Sequence, residues 1–365
     1  MSGDAPVYRR LLVTGGAGFI GSCYVRDVLA RRDGTRITVL DTLTYAGNEA
    51  NLEPARADPE QAARLRFVRG DIADPVAVGA LVADADAVLN FAAESHVDRS
   101  ILDPEAFLRT GVIGVHVLLE AVRVGGASGA DATRPVRYLQ VSTDEVYGSV
   151  ETGRSFEIDP LAPRSPYSAA KAAGEMLVQS YVATYGIDAV VTRGSNTYGP
   201  YHHPEKLIPL FVTNAIDDQP LPLYGDGLQR RDWLYVSDHA GAIDHVLRHG
   251  RSGETYNVPG SAEMANRDVV AALLARLGKP WSLVRSVPDR PGHDRRYAMD
   301  GTKLRALGWR NRTPFETGLE RTVDWYVANE PWWRATKSGD WDAYYERQYG
   351  DRLAHGLAAA EIRGD

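Results

Sequence analysis

Residues 10 to 21 read Arg10-Leu-Leu-Val-Thr14 and then Gly15-Gly-Ala-Gly18-Phe-Ile-Gly21, and no other stretch narrows the fold so far. The apolar run is a buried strand. The segment from Phe19 to about Arg31 carries Ile20, Val25, Val28 and Leu29 at helical spacing. Glycines between a strand and a helix permit a tight turn and close packing of helix on strand. A strand that turns directly into a helix must then return by a crossover, which makes its neighbour parallel.

The alternation continues. Thr35–Leu40, Leu65–Arg69, Ala87–Phe91, Tyr138–Val141, Ala189–Thr192 and Thr255–Val258 read as further strands. Phe107 to Val124, with Val112, Val115, Leu118, Leu119 and Val122, reads as a helix, and so does 167–185. Strands alternating with helices imply an α/β fold with a doubly wound parallel sheet, of Rossmann type. After about residue 195 proline and glycine become frequent, as in Tyr198-Gly-Pro-Tyr201 and Tyr224-Gly-Asp-Gly227, and the alternation weakens. The expected division is a dinucleotide-binding domain at 8–197, with a strand return near 232–258. A smaller, interleaved C-terminal lobe for the substrate takes 198–231 and 259–350, and a tail takes 351–365. Trp332, Trp333 and Trp341 suggest a terminal helix packed on the small lobe.

The chain has 365 residues, a formal net charge of −7 and no dense lysine or arginine run. That argues against a nucleic-acid partner, whose phosphates demand such a run. Cys23 is the single cysteine, so no intrachain disulfide forms. The start has no basic-then-apolar pattern, and no apolar stretch approaches the roughly 20 residues needed to cross a bilayer. A cytoplasmic protein without a membrane partner is expected, and no metal is called for.

The glycine turn lets backbone N–H groups approach a pyrophosphate at a helix N-terminus. A tight loop alone also selects glycine, so the context matters. Asp41 stands twenty residues past Gly21, at the end of the second strand. An acid there accepts hydrogen bonds from a ribose and repels a 2′-phosphate, which favours NAD over NADP. Asp71 and Ile72 follow the third strand, where an adenine edge is held. Phe91, Ala92 and Ala93 follow the fourth, where small residues let a dinucleotide lie flat.

Tyr167 and Lys171 are four apart and share one helix face. An ammonium beside a phenol lowers its pKa and makes it a usable base. Ser142-Thr143-Asp144-Glu145 ends the preceding strand. A plain dehydrogenase moves one proton, whereas this set can move three. Two adjacent acids serve as acid and base only if their pKa values are pushed apart. The residues therefore point to an oxidation coupled to a second step, loss of water.

With the glycine turn and Tyr167-x-x-x-Lys171, the chain resembles the extended short-chain dehydrogenase/reductase superfamily. Within it the pattern is most similar to the dTDP-glucose 4,6-dehydratases. The matching stretches include Asp41-Thr-Leu-Thr-Tyr-Ala-Gly-Asn48, Ala92-Ala-Glu-Ser-His-Val-Asp-Arg-Ser-Ile101, Ser142-Thr-Asp-Glu-Val-Tyr-Gly148 and Pro204-Glu-Lys-Leu-Ile-Pro209. Arg231-Asp-Trp-Leu-Tyr-Val236 and Asp289-Arg-Pro-Gly-His-Asp-Arg-Arg-Tyr297 extend them, and the likeness runs from about residue 10 to about 335. The resemblance implies that Tyr167 takes the 4-hydroxyl proton while hydride leaves C4. Glu145 then removes the C5 proton, Asp144 protonates the departing 6-hydroxyl, and hydride returns to C6. Thr143 binds the 4-oxygen and Lys171 the nicotinamide ribose. To the cofactor set it adds Phe19, Ile20, Leu43, Thr44, Gly47, Val141 and Asn196. For a nucleotide-sugar substrate it implies Ser95, His96, Asn196, Lys206, Leu207, Pro222, Tyr224, Arg231, Asn266, His293 and Tyr297, with Arg231 forking onto the diphosphate and Tyr224 stacking on the base. It also implies a homodimer through the helices at 107–124 and 167–185.

The chain departs from the resembled pattern at several points. Gly194-Ser-Asn-Thr197 stands for Ala/Cys-Ser-Asn-Asn, and His202-His203 stands where an aromatic or glutamine is usual. Arg230 replaces a small apolar residue, and Tyr256-Asn-Val-Pro-Gly260 replaces Tyr-Asn-Ile-Gly-Gly. None removes a catalytic group, but the base and sugar stay more open than the reaction. The alternatives are a UDP- or CDP-linked dehydratase, a 5,6-dehydratase, a 4-epimerase or a decarboxylase of the same superfamily. An ordinary NAD-linked dehydrogenase and a non-catalytic NAD-binding protein stand further off. An epimerase has no use for the Asp144-Glu145 pair.

Overall fold

The computed structural model describes residues 6–128, 135–339, 341–354 and 357–358. Of the expected tail, 355–356 and 359–365 lie outside the described residues. Seven strands form the main sheet: β1 (Arg10–Thr14), β2 (Arg36–Asp41), β3 (Leu65–Arg69), β4 (Ala87–Asn90), β5 (Arg137–Thr143), β6 (Ala189–Gly194) and β10 (Thr255–Val258). Their order is β10-β6-β5-β4-β1-β2-β3, and every pairing is parallel. This is the Rossmann-type sheet that the alternation implies. Hydrophobic layers cover the sheet on both faces. In β1, Leu11 and Val13 join Val28, Leu29, Ile243 and Leu247 on one side. Leu12 points the other way, to Val82, Leu118, Leu119 and Val178. Burying each such side chain contributes about 1.5–3 kcal/mol.

The helices that make those layers are α1 (Phe19–Ala30), α2 (Val115–Ser128), α3 (Pro166–Tyr185) and α5 (Val236–His249). The helix expected at 107–124 is not continuous. A short helix, Pro104–Leu108, runs into a π-helical turn, Arg109–Gly114, before α2 begins. The cause is close packing: a Cβ on Gly111 would stand 3.0 Å from Ala170 Cβ, and one on Gly114 2.4 Å from Ile72 Cδ1. A π turn re-aims side chains at such a site. Here Thr110 meets the cavity described below.

The remaining strands are β7 (Asn196–Tyr198), β8 (Leu221–Tyr224), β9 (Arg230–Tyr235), β11 (Ala262–Ala265), β12 (Val284–Val287) and β13 (Leu357–Ala358). They form two three-stranded sheets, β11-β9-β7 and β13-β12-β8. Of the expected 232–258 return, the strand at 255–258 joins the main sheet as β10, while β9 pairs in a small sheet. What returns is α5, packed beside α1, and β10. Arg231, Trp233 and Tyr235 alternate onto one face of β9, and the two aromatics pack in a second core. That core is built on α4 (Leu207–Ile216), α6 (Asn266–Leu277) and α7 (Phe315–Ala328). Trp333 is wholly buried in it and donates to Tyr326 O at 2.9 Å. No helix among the described residues is long and apolar enough to cross a membrane.

Candidate active site

The sheet's order reverses between β1 and β4, where consecutive crossovers leave in opposite directions and open a crevice at the carboxyl ends. A cavity lies there. Its wall takes in Gly15, Gly18, Phe19, Ile20 and Gly21, then Asp41, Thr44 and Gly47, then Asp71 and Ile72, then Phe91, Ala92 and Ala93. Val141, Thr143, Asp144, Glu145, Tyr167, Lys171, Ser95, Asn196 and Lys206 complete its far end. Leu43 stands behind the wall at φ 58°, with its N–H on Asp41 Oδ1 at 2.9 Å.

Glycine is required at the turn. Gly15 has φ 67°, and a Cβ there would meet Ala92 N at 2.6 Å; at Gly21 a Cβ would meet Gly15 O at 2.3 Å. Gly18 precedes α1 and supplies no side-chain cap. The first N–H groups of the helix therefore have no intrahelical acceptor and face the cavity, which suits the diphosphate of a dinucleotide. Asp41 also braces the turn, accepting from Ala17 N at 2.9 Å. The set fits NAD, with Asp41 in the cavity wall beside the turn.

Tyr167 and Lys171 come from the first turns of α3. Pro166 opens that helix, and Ser165 and Ser168 cap it reciprocally. Thr143 pairs with Gly194 at the ends of β5 and β6. Beyond it the chain turns through Asp144–Tyr147, which brings both acids to the cavity. Burial first, and the neighbouring Glu145 second, push the Asp144 carboxyl well above the ordinary carboxylate range. Burial also raises Glu145, but Arg290, Arg231 and Lys206 pull it back toward the ionised form. The two acids thus occupy unlike fields: Asp144 suits a proton donor and Glu145 a base. Asp144 Oδ2, Ser142 Oγ and Asn196 Oδ1 are buried without hydrogen-bond partners. Unmet polar atoms converging on one space are what a polyhydroxylated ligand satisfies.

Contrary to the sequence expectation, the Tyr167 phenol stands above its ordinary pKa, and Lys171 is turned to the backbone. Its Nζ donates to Val141 O at 2.8 Å, and burial brings its own pKa down to about 8. Burial, followed by the charge of Glu145, pushes the Tyr167 phenol up, while a hydrogen bond with Thr143 opposes them. The apolar setting, with Phe107 edge-on at 6.3 Å, withholds the solvation a phenolate would need.

The other expected substrate residues lie outside this cavity. His96 is buried near Tyr344, and Leu207 opens α4. Pro222 is buried in β8 opposite Arg285. Tyr224, Arg231, Asn266, His293 and Tyr297 form an adjoining cluster. Tyr224 is not free to stack as expected: Arg352 stands over its ring at 5.2 Å, and Gln348 donates to its hydroxyl at 2.7 Å. Nor does Arg231 offer an open fork. Its two terminal nitrogens donate to Arg230 O at 2.8 Å and Asp294 O at 2.9 Å, and its guanidinium stacks on Tyr297. His293 is edge-on to Tyr224, and Asn266 Oδ1 is buried and unpartnered.

Sequence reasoning missed Arg290, which reaches Asp98 at 3.3 Å and acts on Glu145. It also missed Gln348, which joins Asp98 and Tyr224, and Tyr349, which is buried beside Tyr224. The block Asp289-Arg-Pro-Gly-His293 carried a signal for the first. The pattern Glu346-Arg-Gln-Tyr349 carried none, because only folding brings it across from β8.

The family described as GDP-mannose 4,6 dehydratase matches residues 12–322. The chain is 51% identical over 336 residues to a dTDP-glucose 4,6-dehydratase of Streptomyces niveus, covering 91% of this chain and 96% of that one. It is similar to the solved structure of DesIV, a dTDP-glucose 4,6-dehydratase from Streptomyces venezuelae with NAD and TYD bound. There the TM-score is 0.84 and the identity 50%, covering 90% of this chain and 100% of that chain. A UDP-glucose 4-epimerase of Thermus thermophilus, in complex with NAD, is more distant, at 33% identity and a TM-score of 0.78, covering 88% of this chain and 99% of that chain.

Proposed function

The chain belongs to the dTDP-glucose 4,6-dehydratases, and on that premise we propose how its residues carry the NAD-dependent conversion of dTDP-glucose to dTDP-4-keto-6-deoxyglucose. NAD, when bound, accepts the C4 hydride and gives it back at C6. Tyr167 Oη takes the proton of the 4-hydroxyl, with Thr143 holding that oxygen. Once C4 is a ketone, C5–H is acidic, and the Glu145 carboxylate removes it; a proton returns to C5 when the hydride is delivered to C6. Asp144, kept protonated by burial and by its charged neighbour, delivers its proton to the 6-hydroxyl as water leaves. Lys171 holds the nicotinamide ribose. The nucleoside diphosphate is assigned to Lys206 and Arg290 and to the N–H groups of Arg231 that its two backbone contacts leave over, with Asn196, Asn266, His293, Tyr224 and Tyr297 around it.

The observation that carries this reading is the presence of Tyr167, Asp144 and Glu145 on one cavity with the glycine turn. A 4-epimerase needs the tyrosine and the dinucleotide only. The test is product analysis with dTDP-glucose deuterated at C4. Deuterium at C6 of a 4-keto-6-deoxy product is expected, and label lost to solvent or left at C4 would refute the reading.

Glu145 works as a carboxylate, and burial raises its pKa above the ordinary 4.5. The base is present above that raised value and lost as pH falls through it. Elimination should therefore fail at a higher pH than an exposed glutamate would impose, while C4 oxidation, which does not use Glu145, continues. Stopped-flow traces on lowering pH should show bound reduced nicotinamide accumulating; oxidation and product formation failing together would count against the assignment.

We also assign a homodimer through the helices before and after β5. Ile113, Val124, Met176 and Tyr185 are large apolar side chains, each more than half exposed, on the π turn, α2 and α3. These elements pack side by side, and apolar side chains exposed on adjoining elements support a protein contact there. Sedimentation at micromolar concentration should give twice the chain mass, and a monomer there excludes the assignment.

A further inference from the structure

Gly194 and Thr197, two positions where the chain departs from the resembled pattern, meet at one side chain. His239, on α5, is 2% exposed and lies in the cavity wall beside Gly194, Ser195, Asn196 and Thr197. A Cβ at position 194 would stand 2.3 Å from His239 Cε1 and 2.5 Å from Nε2. The ring therefore occupies the volume that a larger residue at 194 would fill. Its Nδ1 is 2.8 Å from Thr197 Oγ1, and that hydroxyl donates its own hydrogen to Ser195 O at 3.1 Å. A hydroxyl has one hydrogen. With that hydrogen assigned to Ser195 O, Oγ1 accepts, and the ring proton is assigned to Nδ1. Burial holds the imidazole down at about 3, so the ring is neutral near pH 7. Nε2 is then a bare acceptor, and it is buried with no partner. A buried acceptor in that state is costly unless a ligand brings a donor.

The end of the cavity settles which donor. Gly194 faces Thr143 across the β5–β6 pair, at the end occupied by Tyr167 and Lys171. The ribose hydroxyls fall to Tyr167 and Lys171 on α3, which leaves the nicotinamide carboxamide for the β6 side. We propose that His239 Nε2 accepts a hydrogen bond from the carboxamide –NH2 of the dinucleotide, fixing the rotation of the nicotinamide ring and so the face it offers to the sugar. Gly194 supplies the room and Thr197 holds the tautomer. The inference rests on the reading of the cavity as the NAD site.

The test uses 3-acetylpyridine adenine dinucleotide, in which a methyl replaces the amide –NH2. Calorimetric affinities for it and for NAD are compared in the unaltered protein, His239→Phe and Thr197→Val, each freed of bound dinucleotide. The unaltered protein should prefer NAD by about tenfold, the scale of one hydrogen bond. His239→Phe should bind the two within about twofold, and Thr197→Val, which releases the tautomer, should narrow the preference. A ring that only packs would leave the ratio unchanged. Retention of the full ratio in both variants, or no preference in the unaltered protein, overturns the proposal. Should His239→Phe fail to fold, Thr197→Val decides by the same ratio. Binding of neither dinucleotide overturns the cofactor reading and the proposal with it.

Discussion

Glu145→Gln is expected to stop turnover with the nicotinamide reduced and the sugar oxidised at C4. The exchange keeps size and hydrogen-bonding capacity and removes only the base. The groups that oxidise C4 keep their places, because Tyr167, Thr143 and Lys171 sit on β5 and α3 and not on the turn that carries Glu145, and loss of the Glu145 charge, which opposes the Tyr167 phenolate, favours that step. Overall rate should fall by about 10²–10⁴-fold, the usual contribution of a positioned base. The reduced nicotinamide should appear on mixing and persist. Its absence, with sugar fully bound, would remove Glu145 from the elimination step. The prediction is specific to Glu145. Asp144→Asn also slows loss of water, but there the C5 proton still exchanges with solvent, which separates donor from base.

Tyr167→Phe is expected to abolish hydride transfer by a similar factor while leaving NAD affinity within about twofold. The ring stays in place because packing rather than its hydroxyl holds it: Tyr167 is 9% exposed, with Val97, Phe107 and Ala170 around it. The phenol's raised pKa gives the result its meaning. Burial and the Glu145 charge both oppose the phenolate, so proton removal has to be coupled to departure of hydride and to the positive charge that NAD brings. Lys171, at about 8, is still protonated near neutrality and keeps that end of the cavity positive. Single-turnover kinetics with saturating NAD check it, and substantial residual oxidation would exclude Tyr167 as the base.

The residues that were legible in the sequence are those whose meaning is local. Gly15, Gly18 and Gly21 follow a strand and open a helix within a dozen residues. Tyr167 and Lys171 share a face because a helix repeats every 3.6 residues. Asp144 and Glu145 are adjacent. Arg290, Gln348 and Tyr349 were missed because they reach Asp98 or Tyr224 across more than a hundred residues. The break of the 107–124 helix was missed because the partners of Gly111 and Gly114, Ala170 and Ile72, lie on other elements.

The chain's own order of apolar runs, glycines and adjacent acids determined the parallel sheet, the dinucleotide turn and the candidate proton-moving groups, since periodicity and short spacing act before any distant contact forms. Only the tertiary structure decided the charge states and the partners. Burial raised Tyr167 and Asp144, distant arginines restrained Glu145, and Arg231 was turned onto backbone carbonyls. Those outcomes depend on desolvation and on fields from residues far along the chain, which spacing along the sequence does not encode.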